Sequence, residues 1–90
     1  MLEWDEAKRA ANLIKHGVDF AAAERLDWTA AVVIEDDRHD YGETRLRVAA
    51  PIDGRWHMAV VTPRDGRLRI ISLRRANAKE RRLWASATRS

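Results

Sequence analysis

The chain contains no cysteine. That removes disulfide frameworks, thiolate metal sites and cysteine nucleophiles, and it fits a reducing, cytoplasmic setting. No apolar run approaches the length that spans a bilayer. The opening residues, MLEWDEAKRAANL, lack the apolar stretch of a secretory signal. No glycine-rich phosphate loop is present, and no G-x-S-x-G elbow. His16, His39 and His57 are scattered without metal-ligand spacing, and the carboxylates form no organised cluster beside them, so neither metal nor cofactor is expected. There are no repeats, no low-complexity tracts and no dividing linker. Ninety residues therefore read as a single domain spanning 1–90. A domain this small buries only roughly 60–65% of its unfolded surface, so it is marginal and inclined to lean on a partner.

What is present is charge, unevenly placed. Residues 1–45 carry 6 Lys/Arg against 11 Asp/Glu, a balance of −5, whereas residues 46–90 carry 11 against 3, a balance of +8. A positive half suggests a polyanionic partner. The plain alternative is a set of solvated arginines that only confer solubility.

Local signals order the chain as ααββββα. Asp5 is a helix cap, and Trp4, Ala7, Ala11 and Ile14 recur at helical spacing up to Gly17, which suits a left-handed C′ position. This predicts a helix over 5–16. Asp19 caps a short second helix within 19–27, with Phe20 and Leu26 as its anchors. Strands are predicted over 30–35, 43–50, 55–62 and 67–75. Asp53-Gly54 and Asp65-Gly66 join the last three by type I′ hairpins. Asn77 and Glu80 form a capping box that opens a C-terminal helix carrying Leu83 and Trp84. The fold class is α+β: two N-terminal helices, a four-stranded antiparallel meander and a C-terminal helix.

Two-residue hairpin loops fix which side chains share a face of the sheet. Ile52 then pairs with Arg55, and Arg64 with Arg67. One face collects Leu46, Val48, Ala50, His57, Ala59, Val61, Leu68, Ile70, Ser72 and Arg74, and should pack on the helices. The other splits into two ends. Trp56, Met58, Val60, Ile71 and Leu73 form an apolar end; Glu43, Arg45, Arg47, Arg64, Arg67 and Arg69 form a charged one. Five arginines beside one glutamate would repel unless an anion joins them, and phosphate is the anion that a planar guanidinium fits best. Individually these residues have plainer readings. Arg47 and Arg67 are also natural edge arginines, Arg45 has Glu43 or Asp37 within reach along the chain, and Arg74 needs a carboxylate or carbonyl. Lys15 and His16 also suit the negative end of a helix dipole. Without a cysteine or a metal, any chemistry must come from Arg, Lys, His, Glu or Tyr41. Those groups suit RNA cleavage, where the 2′-hydroxyl is the nucleophile and the protein moves protons and stabilises charge on the phosphorus oxygens.

Three stretches, EWDEAKRAANLIKHGVDFAAA (3–23), DDRHDYGETR (36–45) and RLRIISLRRANAKERR (67–82), resemble the BrnT family of bacterial toxins, in order and over nearly the whole length. The resemblance implies a RelE-like α+β ribonuclease, the toxin of a type II toxin–antitoxin pair, which cuts RNA and stops translation; with no metal-ligand spacing in the chain the cutting is read as metal-independent, and with no cysteine the setting as cytoplasmic. It implies a BrnA-like ribbon-helix-helix antitoxin, a heterotetramer with it, and contact with operator DNA only through that partner. The family's K-H-G element falls on Lys15, His16 and Gly17, and its G-E-x-R element on Gly42, Glu43 and Arg45. Arg64 is the arginine ahead of the last hairpin, and the closing motif supplies Arg69, Ser72, Arg74, Glu80 and Arg81.

On this reading Arg64 and Arg69 hold the scissile phosphate. Glu43 or His16 is the base, and Lys15 or His16 serves the leaving oxygen. Arg45, Arg47, Arg67, Arg74 and Arg75 grip flanking RNA, while Trp56, Met58, Ile71 and Leu73 dock the antitoxin. The rival is a module that binds nucleic acid or antitoxin and cuts nothing.

Overall fold

The computed structural model describes residues 2–38 and 40–87, so His39 and the outermost positions of the expected 1–90 unit lie outside the described residues. Helix α1 is Glu6–His16. The Asp5 carboxylate accepts from the amides of Ala7 and Lys8 at 2.8 and 3.2 Å. Gly17, at φ +71°, closes the helix by donating its N–H to Leu13 O. The buried face differs from the apolar stripe. Ile14 is 88% exposed, and the buried residue of α1 is Asn12.

The expected second helix is a short 3-10 segment, Phe20–Arg25, followed by another over Trp28–Ala30. Six residues cannot repay the cost of nucleating an α-helix alone. Here the sheet also claims the backbone: Leu26 bridges to Ile52, and the Asp27 amide donates to Pro51 O at 2.9 Å. Phe20 and Leu26 are buried anchors, as read.

Five strands form one mixed sheet: β1 (Leu2–Glu3), β2 (Val32–Glu35), β3 (Leu46–Ile52), β4 (Arg55–Arg64) and β5 (Arg67–Arg75). Their order is β1-β5-β4-β3-β2, and every pairing is antiparallel except β1 with β5. The four-stranded meander is therefore corrected to five strands by a two-residue parallel edge, too short to show any periodicity. Both hairpins are two-residue turns. Asp53 and Asp65 adopt φ +51°, followed by Gly54 and Gly66 at +79° and +76°. Those are the paired positive φ values that a type I′ turn requires. Pro63 sits regularly opposite Leu68.

The irregularity lies deeper. Val61 pairs with Ile70 but Val60 pairs with Ser72, so Ile71 is an extra residue in a β-bulge. Strict alternation from Leu68 would put Ser72 and Arg74 into the core and leave Leu73 outside. Burying an unpaired guanidinium is costly, whereas burying Leu73 contributes about 2 kcal/mol. The bulge resolves both: Leu73 faces inward opposite Ala59, completely buried, and Arg74 turns to the other face opposite Met58. Arg75, not Arg74, is thereby the partner of His57.

The main core joins Val18, Phe20, Ala23 and Leu26 to Val48, Ala50, Ile52, Ala59, Val61, Ile70 and Leu73. Helix α2 (Ala78–Ala87) covers the opposite face at one end, with Trp84 against Ala49, Met58 and Ala76 and its ring 6.0 Å from that of Trp56. Its capping box is formed as read: Glu80 N–H donates to Asn77 Oδ1 at 2.8 Å, and Asn77 N–H to Glu80 Oε1 at 3.0 Å.

Glu80 also receives both terminal nitrogens of Arg74, at 2.7 and 2.8 Å. That bidentate hydrogen bond, joined by the Asn77 amide, holds the Glu80 carboxyl down to about 2, against an ordinary 4.5. A carboxyl lowered on folding contributes stability above its unfolded value and loses that contribution as the pH falls toward its folded one. The anchor of α2 should therefore weaken between about pH 4.5 and 2. Glu80→Gln should cost about 1–2 kcal/mol near neutral pH and flatten this acid limb. Urea midpoints of parent and variant at both ends of the window check it.

Candidate active site

Strand alternation and the bulge together place Arg47 of β3, Arg64 of β4 and Arg67, Arg69 and Arg74 of β5 on the sheet face opposite the main core. Arg64 stands across the hairpin from Arg67, Arg69 across from Thr62, and Arg47 in the row of Val60 and Ser72. The three strands thus build a shared basic surface, with Arg74 added to it by the bulge.

Much of the charge on this surface is met from within. Glu3 of β1, in register with Arg69, approaches its Nε at 3.1 Å and Arg67 at 3.9 Å. Glu43 pairs with Arg45 at 3.2 Å, and Glu80 holds Arg74. The anion that the arginine cluster demands is thus partly supplied by the chain's own carboxylates. Arg64 is exposed and makes no ion pair among the described residues. The Nε of Arg47 is buried without a hydrogen-bond partner. Arg47 also lies in the field of Glu80, whose carboxyl it helps to hold down, so Arg64 is the guanidinium with unspent capacity for an outside anion.

A polar loop flanks the face. Asp36 is buried and accepts from Arg38 Nε and Nη2 at 2.7 and 2.8 Å and from the Tyr41 hydroxyl at 3.3 Å. The Arg38 guanidinium holds the Asp36 carboxyl well below the usual carboxylate range. The guanidinium of Arg45 lies 4.0 Å above the Tyr41 ring, a cation–π contact that fixes Arg45 from one side while Glu43 fixes it from another.

Lys15 and His16, at the end of α1, line a hollow of about 290 Å³ with Lys8, Asn12, Ile71 and Ser72. The edge of β5 draws α1 there through Asn12. Its Oδ1 accepts from Leu73 N–H at 3.1 Å, and its Nδ2 donates to Leu73 O at 2.8 Å and Val18 O at 3.0 Å. One amide side chain thereby replaces the strand neighbour that β5 lacks beyond β1. Ser72 is three residues from Arg69 and five from Arg67, so roughly 10 and 17 Å of strand separate Lys15 and His16 from those arginines. The two residues border the middle of the basic face, not its hairpin end.

The remaining expected site residues fall elsewhere. Arg75 is on the core side of the sheet, opposite His57. The four residues expected to dock a partner do not form one exposed surface. Leu73 is in the main core, Met58 and Trp56 are covered by α2, and Ile71 is half-buried beside α1. The bulge and α2 are the physical reasons. Sequence reading missed Glu3, whose strand is too short for a pattern, and the Tyr41–Arg45 stack, whose i,i+4 spacing was its only trace. Among the described residues no three His, Cys, Asp or Glu side chains gather where a metal ion could be held. No helix there is long and apolar enough to cross a membrane.

The model of one protein family matches residues 4–80, described as "Ribonuclease toxin, BrnT, of type II toxin-antitoxin system". No curated protein matches the chain.

Proposed function

The chain belongs to the BrnT family of ribonuclease toxins of type II toxin–antitoxin systems, and from that premise we propose that it is an endoribonuclease that needs no metal and whose cutting site is the basic face of the sheet. The carrying observation is that three strands converge five arginines on one face, one of which, Arg64, is exposed with no ion pair among the described residues. Guanidiniums bind phosphate through paired N–H donors and remain cationic at every working pH. Arg64 and Arg69 would hold the scissile phosphate and stabilise the pentavalent intermediate. The 2′-hydroxyl attacks the phosphorus, so the protein must accept one proton and give one to the leaving 5′-oxygen. His16 is the favoured base. An imidazole can both accept and give a proton, and the competing carboxylate of Glu43 is engaged by Arg45. Lys15, its neighbour, would serve the leaving oxygen. Arg45, Arg67 and Arg74 would grip the flanking strand.

The domain would be RelE-like and act on RNA in the cytoplasm. A BrnA-like ribbon-helix-helix antitoxin would inhibit it by covering the basic face, assemble with it as a heterotetramer and carry it to operator DNA. The test is cleavage of free RNA by the purified chain in EDTA, repeated on translating ribosomes. Cutting in either reaction supports the proposal. RNA bound but uncut in both leaves a binding module and overturns it.

Glu3 makes a second measurement informative. It occupies Arg69 and Arg67 before any phosphate arrives, so Glu3→Gln should release them. RNA affinity should rise roughly two- to fivefold, in keeping with a partly exposed ion pair. The log–log salt slope should steepen by about 0.7 for each additional phosphate contact. Titration of an uncleavable RNA at several salt concentrations reads both.

A further inference from the structure

On the opposite face, at the other end of the sheet, Arg55, His57 and Arg75 share a hollow of about 460 Å³. Alternation along β4 puts Arg55 and His57 on the core side, and the bulge in β5 brings Arg75 to the same side, directly across from His57. The apolar wall is Val18, Ala22 and Ile52. Two carboxylates also line it, and each is already engaged. Asp19 accepts from Arg9 at 2.8 and 2.9 Å, and Asp53 from Arg25 at 3.1 Å. Arg55 and Arg75 are exposed and have no ion pair among the described residues. A second hollow, lined by Gly54, Trp56 and Arg81, shares both arginines, so they stand between two cavities.

His57 adds a directed group. Its Nδ1 lies 2.7 Å from the Arg55 carbonyl oxygen. A carbonyl can only accept, so Nδ1 carries the proton, and on the neutral ring Nε2 is an acceptor, matched to the hydroxyl of a singly protonated phosphate. Two unneutralised guanidiniums, an imidazole nitrogen and an apolar wall fit a phosphate group attached to something flat or apolar. Nine residue steps along β4 separate Arg55 from Arg64, roughly 30 Å, and the two lie at opposite ends of the strand. This cavity is therefore not an extension of the cutting site.

We propose that the Arg55–His57–Arg75 hollow is a second phosphate-binding site, which takes the phosphate of a nucleotide. The ligand class rests on the RNA-binding reading above; the cavity does not. A nucleotide phosphate could come from an RNA strand or from a free mononucleotide, and the test separates these.

The imidazole C–H resonances of the full chain are followed by NMR during titration with inorganic phosphate and with a nucleoside 5′-monophosphate. His57 is assigned through His57→Gln. The expected result is a saturable shift of His57 in the parent and in Arg64→Ala/Arg69→Ala, and none in Arg55→Gln/Arg75→Gln, whose exposed positions leave the fold intact. Lack of a saturable His57 shift overturns the proposal, as does an equal shift in Arg55→Gln/Arg75→Gln. In a second arm an uncleavable RNA is bound at several salt concentrations. A slope shallower by about 1.4 in Arg55→Gln/Arg75→Gln, two lost phosphate contacts, assigns the phosphate to an RNA strand. An unchanged slope beside a persisting monophosphate shift assigns it to a free nucleotide. Failure of the cutting-site reading shows separately, as RNA cleavage that survives Arg64→Ala/Arg69→Ala.

Discussion

Replacing Arg64 and Arg69 together with alanine should lower RNA cleavage by at least about three orders of magnitude while leaving the fold intact. Removing a single preorganised donor from a charge-stabilising site typically costs about 10²–10³ in rate, and here two cationic donors go at once. The fold should survive. Arg64 is exposed beside the hairpin, where Asp65-Gly66 dictates the turn, and Arg69 contributes only a partly exposed pair with Glu3. The double variant should also bind RNA more weakly and with a shallower salt dependence, by about 1.4 in log–log slope if each arginine meets one phosphate. Cleavage on free RNA or ribosomes, with folding checked by circular dichroism, decides the matter. A folded double variant that cuts at the parent's rate would sink the assignment of these two arginines.

Asn12→Ala should produce a large loss of stability for a single polar side chain. Asn12 is buried, and its amide makes three hydrogen bonds, to Leu73 N–H, Leu73 O and Val18 O. Alanine deletes all three, so the orphaned groups of β5 and of Val18 bear the desolvation penalty. At about 1–3 kcal/mol for each unsatisfied buried group, with partial rescue by entering water, the expected cost is about 2–4 kcal/mol. For a domain of this size that is a fall in Tm of roughly 10–25 °C. The Leu73 amide should lose hydrogen-exchange protection ahead of its strand neighbours. Ile14→Ala on the same helix is the control: with that side chain 88% exposed, its effect should stay within about 0.5 kcal/mol. Equal destabilisation by both variants would show that Asn12 acts through helix formation rather than through the strand edge. Since Asn12 ties α1, which carries Lys15 and His16, to β5, Asn12→Ala should also weaken cleavage under conditions where the fold persists.

The caps, turns and hairpin registers were legible because each is decided within a few residues. Asp5 and Gly17 bound α1, Asp-Gly pairs set both hairpins, and Asn77 with Glu80 starts α2, all as the chain reads. The arginine face was legible for the same reason: from a two-residue turn, alternation carries Arg64, Arg67 and Arg69 to one side. Legibility ended at Ile71. The spacing from Leu68 to Ile70 is two, and from Ile70 to Leu73 three. That change of period was the visible trace of the bulge, beside two polar residues, Ser72 and Arg74, that strict alternation would have buried. The 19–27 segment misled because its caps suit a helix while the sheet competes for its backbone at Leu26 and Asp27. The expected docking residues Trp56 and Met58 lie under cover because α2, some twenty-five residues along, folds back over them.

By itself, then, the sequence determined the local geometry and the identity of the charged face, because capping, positive-φ turns and strand alternation act over two to four residues. Tertiary structure alone decided what meets what over longer distances. Glu3 lies against Arg69 because β1 adds in parallel across 66 residues, and Asn12 reaches Leu73 across 61. Trp84 seals the apolar end, and Arg75 crosses to His57 because a one-residue bulge shifts register. Such pairings depend on the net free energy of burying whole faces, and no window of neighbouring residues contains that quantity.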